Sequence, residues 1–273
     1  MEAPIPREAP VTNARVPGVI CTTGTLPPGT GTIAPMSQEH ATVAEEEYLK
    51  TVFWLHEAGL PMSAANVARA MQLSPPTVHE MLRRLEGDGY ITRGEDKLIA
   101  VTDTGREHAE GVVRRHRLIE RFLTDVLGIP WDEVHEEAER LEHAMSPVLE
   151  ERMMAAIGDA KTCPHGHPIE VGQRHEGVPL ADVQVGASVR ILRFENEAED
   201  LLHYLKAAGA EPGMTGTLAE RTDEEVVVAG DGGERVVLTA SVAETVSVAA
   251  DPSPPARTAL HEQLVIGADR YGR

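Results

Sequence analysis

The chain has 273 residues, 41% of them hydrophobic but only 3% aromatic, so aliphatic side chains must build its cores. No apolar run approaches the roughly 18 residues of a membrane helix, and the N-terminus lacks a signal peptide's basic-then-apolar layout, so a cytoplasmic protein with no membrane partner is expected. A net charge of -19 excludes nonspecific coating of nucleic acid, but it is compatible with a local basic surface or with carboxylates that await cations.

Residues 1–38, rich in Pro, Gly and Thr without apolar periodicity, read as a disordered extension, with Met36 available as an alternative start. From Ala44 to Glu57 the positions Tyr48, Leu49, Val52, Phe53 and Leu55 follow a helical stripe ended by Gly59 and Pro61. Ser63 caps a short helix to about Gln72, and Leu73-Ser74-Pro75-Pro76 is a turn in which Ser74 caps and Pro75 opens the next helix. That helix buries Val78, Met81, Leu82 and Leu85 and turns Thr77, His79, Glu80, Arg83 and Arg84 outward, the pattern of a helix-turn-helix. Tyr90–Arg93 and Lys97–Val101 pair across Gly94-Glu95-Asp96 as a wing. A long helix then runs from Thr102 to about Leu127, followed by helices over about 131–142 and 146–157.

Composition changes after Gly158. Residues 161–179 read as a Pro, Gly and His-rich linker, and five short strands follow: Val183–Phe194, Gly216–Arg221, Glu225–Ala229, Arg235–Leu238 and Ser241–Val248. A helix over about Asn196–Ala208 interrupts them, and a small β-barrel is the natural closure. Residues 251–273 are assigned no structure. The two cysteines, Cys21 in the extension and Cys163 in Cys163-Pro164-His165-Gly166-His167, do not suggest a disulfide.

Glu139, Glu142 and His143 fall at i, i+3 and i+4 of a helix, which puts two carboxylates and an imidazole on one face. That is a divalent-metal half-site, and His116-x-x-x-Glu120 offers a second half. Each pattern also has a structural reading. Glu137, Glu139 and Glu142 beside Arg140 serve equally as a solvated, salt-bridged face, Glu47 belongs to a Glu45-Glu46-Glu47 run that a helix N-terminus favours, and the Cys163–His167 stretch serves as a turn.

The winged helix-turn-helix, the His116–Leu123 stretch, the Val134–His143 segment and the trailing barrel, in this order over about residues 40–250, resemble the diphtheria toxin repressor family of metal-dependent transcriptional regulators. The resemblance implies a mainly α protein with a small β part. Its winged-helix DNA-binding domain would span 39–105, a helical metal-binding and dimerisation domain 106–160, and an SH3-like (FeoA-like) domain 180–250. It further implies a primary metal on Glu47, His116, Glu139, Glu142 and His143. Iron-responsive members carry Met in the first helix and Cys opening the cluster, manganese-responsive ones Asp and Glu, so Glu47 and Glu139 side with manganese, although Glu47 is one methylene longer than the usual Asp. Oxygen-dominated donors point the same way on chemical grounds: Mn²⁺ is favoured, Fe²⁺ is the alternative, and Co²⁺, Ni²⁺ or Zn²⁺ can substitute in vitro. A second site by the same resemblance draws on Glu120, with Cys163, His165 and Asp200 in one subset of the family, or His116 and His135 in another.

The expected function is that of a homodimeric repressor with metal as corepressor, binding a pseudo-palindromic double-stranded operator. Thr77, His79 and Glu80 are best placed for base edges, Ser74 and Pro76 for backbone or apolar contacts, and Arg83, Arg84, Arg93 and Lys97 for phosphates. A winged-helix regulator that has lost metal sensing and a metallohydrolase are the alternatives; the second lacks any separate general-base or oxyanion group.

Overall fold

The computed structural model of the chain describes residues 41–172 and 177–251; the extension 1–38 and the tail beyond Asp251 lie outside the described residues. Helix α1 (Val43–Glu57) opens with a capping box between Thr42 and Glu45. Ser63 caps α2 (Ala64–Ala70), and Ser74 caps α3 (Pro75–Gly87), where Pro75 lacks an N–H that would have no partner anyway. Val78, Leu82 and Leu85 of α3 are fully buried, each contributing about 1.5–3 kcal/mol by leaving water.

The wing is shorter than its sequence suggests. Strand β1 (Ile91–Arg93) pairs with β2 (Ile99–Val101), and Lys97 belongs to the turn: its φ is +62° and its N–H bonds back to the Gly94 carbonyl. Helix α4 (Asp103–Asp125) presses directly on this hairpin, since a Cβ on Gly105 would come within 2.0 Å of the Tyr90 carbonyl oxygen. Helix α5 (Val134–Glu142) starts three residues later than the apolar pattern predicts, because residues 130–133 form a turn closed by Glu133 N–H to the Pro130 carbonyl. Ser146 caps α6 (Pro147–Ile157).

Residues 161–179 are not a free linker. Cys163, His165 and Ile169 are buried, and Thr162 pairs with Pro168; within this stretch, residues 173–176 lie outside the described ones. Beyond it, β3 (Val178–Pro179), β4 (Ser188–Phe194), β5 (Thr215–Arg221), β6 (Glu225–Gly230), β7 (Arg235–Thr239) and β8 (Val246–Asp251) form one antiparallel sheet in the order β3-β8-β4-β5-β6-β7. Helix α7 (Glu199–Ala207) connects β4 to β5. The strand predicted over Ser241–Val248 divides: Thr239 caps a single helical turn, α8 (Ala240–Ala243), and β8 begins only at Val246. Apolar residues gather in three cores, one for the winged helix, one for α4–α6 and one for the sheet.

Candidate metal centres

The first cluster lies where α1 meets the C-terminal end of α5. The helical period of α1 sets Glu46, Glu47 and Lys50 on the side facing His143. His143 Nδ1 lies 2.6 Å from Glu46 Oε2, and its Nε2 lies 2.6 Å from Glu47 Oε1 and 3.2 Å from Glu142 Oε1. Glu47, Glu142 and His143 thus offer donor atoms all within 4.8 Å of one another. Lys50 reaches into the same group with its side chain 1% exposed: its Nζ is 2.6 Å from Glu142 Oε1, 3.1 Å from Glu47 and 3.6 Å from Glu139 Oε1, and it lies over the Trp54 ring. Glu139 is 43% exposed and stands outside the close group, between Lys50 and His135.

The second cluster is deeper. His116 and Glu120 are one turn apart on α4, and both are buried. His116 Nδ1 is 2.5 Å from Glu142 Oε2, while its Nε2 is 2.9 Å from Glu120 Oε1 and 3.2 Å from His135 Nδ1, so this ring joins the two clusters. His165 Nδ1 approaches Glu120 Oε1 at 3.2 Å from the opposite side, held in place by its Nε2 at 2.7 Å from the Trp131 carbonyl. Gly166 makes this turn possible: its φ is +96° and a Cβ there would lie 2.0 Å from the Leu192 carbonyl oxygen. His167 pairs its Nε2 with the Phe194 carbonyl at 2.8 Å and lies 3.4 Å from Glu197 Oε1 at the edge of the cluster.

The acid completing this cluster is Glu197, not Asp200. Asp200 lies in the exposed first turn of α7, whereas Glu197, in the segment before the helix, places its oxygens 3.4 Å from His135 and 3.4 Å from His165. His116, Glu120, His135 and Glu197 form one close donor group; Glu120, Cys163, His165 and Glu197 form another.

Burial alone would neutralise the buried histidines, but the carboxylates outweigh it. His116 is raised by Glu120 and Glu142, His143 by Glu46 and Glu47, His165 by Glu120 and Glu197, and His135 is pushed up to about 10. Glu120 and Glu142 are held below the usual carboxylate range against burial, Glu120 by His165 and His116, Glu142 by His116 and Lys50. Burial and the Glu120 charge push the Cys163 thiol up to about 11.

On the face expected to read DNA, Ser74, Pro76, Thr77, His79, Glu80, Arg83 and Lys97 are all exposed. Two predicted phosphate contacts are already engaged. Arg84 Nε lies 2.7 Å from Glu45, and Arg93 pairs with Glu86, because each has an acid at the right distance on a neighbouring element.

The donors suit a divalent cation. Glu120 Oε2 and His165 Nδ1 are buried without a hydrogen-bond partner among the described residues, and oxygen and imidazole dominate the set with one thiol beside them. A winged helix-turn-helix coupled to buried carboxylate–imidazole clusters defines a metal-responsive DNA-binding protein. Family models agree segment by segment: "Iron dependent repressor, N-terminal DNA binding domain" matches residues 40–97, "Iron dependent repressor, metal binding and dimerisation domain" residues 102–170, and "FeoA domain" residues 178–250. The iron-dependent repressor IdeR of Mycobacterium tuberculosis is 34% identical over 219 residues, covering 74% of this chain and 95% of that protein. The diphtheria toxin repressor of Corynebacterium diphtheriae is 39% identical over 140 residues, 51% of this chain and 62% of that one. A solved manganese-dependent transcriptional repressor in complex with manganese superposes with a TM-score of 0.69 at 31% identity, covering 75% of this chain and 98% of that one.

The chain belongs to the iron-dependent repressor family, whose members are metal-dependent transcriptional repressors and not enzymes. No helix among the described residues is long and apolar enough to cross a membrane.

Proposed function

We propose that this protein is a cytoplasmic, homodimeric repressor that binds a pseudo-palindromic operator with Mn²⁺ as corepressor, Fe²⁺ being the alternative. The observation that carries this reading is the convergence of Glu47 from α1 with Glu142 and His143 from the end of α5. Bound there, a divalent cation supplies the positive charge that lets these carboxylates sit together. Glu139 and His116 stand beside this group, and Glu120, His135, Cys163, His165 and Glu197 serve the second cluster. Among the described residues, the close donor group of the first cluster holds carboxylates and an imidazole and no thiolate, which favours manganese.

Glu47 sits on the first helix of the DNA-binding domain. Holding it against Glu142 and His143 fixes that domain relative to α4–α6 and hence sets the spacing of two recognition helices, which must meet major grooves about 34 Å apart or at a multiple of that. Homodimerisation through the helical block is supported by exposed Val126, Leu127, Leu141, Val148 and Leu149, a concentration of large apolar side chains on the ends of α4–α6. Thr77, His79 and Glu80 are placed for base edges, Ser74 and Pro76 for the flanking backbone, and Arg83 and Lys97 for phosphates. Replacing Arg83 with Ala should lower affinity uniformly across sequences and reduce the salt slope by about one. Arg84→Ala should do less, since Glu45 already neutralises that guanidinium.

Lys50 favours a second reading. Its ammonium already ties Glu47 to Glu142, so a metal-independent regulator would be organised without any ion. Operator duplexes selected from a random pool, followed by gel shifts with and without Mn²⁺, separate the two: the corepressor reading expects binding only with the ion, and equal binding in a chelator would defeat it.

Affinity for Mn²⁺ should rise with pH. The raised histidines and Cys163 hold protons that ligation must displace, so a titration across roughly pH 6 to 8 should show tightening and proton release. The metal-free fold should move the other way. His135, raised from 6.5 to about 10, contributes stability that is complete below its unfolded pKa and lost as pH climbs through the folded one. Melting curves with and without Mn²⁺ should therefore separate further at pH 8 than at pH 6; an unchanged gap would contradict the protonated cluster.

A further inference from the structure

A cleft of about 400 Å³ lies between α4 and the sheet domain, and its walls hold none of the donors of the two clusters. That volume is within the range of small-molecule sites, about 300–1,000 Å³. Trp131, Ile191, Leu192 and Pro212 give the cleft its apolar surface, and the Trp131 ring packs on Phe194 with 5.7 Å between centroids. Two charged side chains in these walls are unengaged: Arg190 of β4 and Glu211 are both exposed, and neither has an ion-pair partner among the described residues, nor do they pair with each other. Their segments are nonetheless fixed side by side, because Gly213 N–H donates to the Ile191 carbonyl at 2.7 Å and Ile191 N–H to the Met214 carbonyl at 2.9 Å. Arg121, the other cation of the cleft, is already engaged, donating to the Thr162 and Cys163 carbonyls at 2.7 and 2.9 Å. Thr124 adds a buried hydroxyl that has no hydrogen-bond partner among the described residues.

We propose that this cleft binds a zwitterionic α-amino acid with an apolar side chain, its carboxylate on Arg190, its ammonium on Glu211 and its side chain against Trp131. A guanidinium takes a carboxylate through two parallel N–H···O bonds, and a carboxylate takes an ammonium, so one small molecule carrying both groups satisfies both walls and adds no net charge. The apolar surface between the two charges selects the side chain. Because the walls come from α4, from the 161–172 segment and from β4, the occupant touches the helical block and the sheet domain together. No metal takes part, so the inference stands independently of the corepressor reading.

The test is titration of the full-length chain with L-leucine and L-phenylalanine, followed by calorimetry and by saturation-transfer NMR. At least one of them should bind saturably below about 10 mM. Matched analogues then separate the two charges: 4-methylpentanoate and 3-phenylpropanoate lack the ammonium, while 3-methylbutylamine and 2-phenylethylamine lack the carboxylate. Each should bind at least about tenfold more weakly than its parent amino acid. Arg190→Gln should erase the advantage of the amino acid over the amine, and Glu211→Gln its advantage over the acid, each variant leaving the other difference in place. Both side chains are exposed, so the variants are expected to melt as wild type does, and melting curves check this. No saturable binding of either amino acid up to about 10 mM would overturn the proposal. Binding that both variants leave unchanged, or an acid that binds as tightly as its amino acid, would overturn it as well. None of these outcomes alters the expected dependence of operator binding on Mn²⁺.

Discussion

Replacing Glu142 with alanine is expected to destabilise the metal-free protein by about 3–5 kcal/mol, the usual consequence of removing one member of a buried ion pair. Glu142 is fully buried, with Oε1 2.6 Å from Lys50 Nζ and Oε2 2.5 Å from His116 Nδ1. Its loss takes the shortest counter-charge from the buried Lys50 ammonium and from His116 Nδ1, leaving Glu47 and Glu139 beside the one and Glu120 beside the other. Urea denaturation should rank stability as wild type, then Glu142→Gln, then Glu142→Ala, because glutamine still accepts a hydrogen bond. A loss below about 1 kcal/mol for the alanine variant would mean that water replaces the carboxylate, as at surface pairs. The same substitution should remove the response to Mn²⁺, since Glu142 is the one residue of the first cluster that also touches His116 of the second.

Lys50→Met should have the opposite effect on metal affinity. Methionine keeps the length of the side chain, so the packing of α1 is preserved, but the positive charge leaves the carboxylates it now pairs with. Two unit charges about 4 Å apart interact by about 4 kcal/mol at an effective dielectric constant of 20. Even a third of that corresponds to roughly tenfold. Isothermal titration with Mn²⁺ should show at least about tenfold tighter binding in the variant, and the operator should be bound at lower Mn²⁺. Unchanged or weaker binding would show that Lys50 supports the cluster rather than competing for it.

The architecture was largely legible because local chemistry and tertiary structure agree in it. Ser63, Ser74, Thr102 and Ser146 cap the helices that their sequence context announces, and the Val78, Leu82, Leu85 stripe is the buried face of α3. The errors fall where local signals are ambiguous. Thr239-Ala-Ser-Val-Ala reads as strand or helix with equal ease, and the Thr239 hydroxyl, accepting from Val242 N–H, settles it as a helical turn. Residues 161–172 look like linker by composition, yet backbone contacts to β4 and the burial of Cys163 and His165 draw part of them into the fold.

In the candidate centres, spacing along one helix was informative and spacing between elements was not. His116 and Glu120 could be paired from the i, i+4 rule, whereas the same rule grouped Glu139 with Glu142 and His143, and Glu139 stands outside that close group. Glu197 was hidden among Glu195, Glu199 and Asp200, because which acid of that run faces His135 depends on where α7 begins. Lys50 gave no signal at all: a lysine in an amphipathic helix ordinarily extends to solvent, and the acids brought by α5, with Glu47 of its own helix, hold this one inside. Arg84 and Arg93 were expected at phosphates, and the acids they pair with, Glu45 and Glu86, gave no local signal because they lie on other elements.

Fluorescence anisotropy of a selected operator duplex, titrated with Mn²⁺ against wild type and the Glu139→Ala/His143→Ala variant, tests most directly whether the first cluster controls DNA binding. The account predicts tight, Mn²⁺-dependent binding for wild type, and for the variant a native melting curve with no Mn²⁺-induced binding. A folded variant that still responds to Mn²⁺ at wild-type concentrations would contradict it.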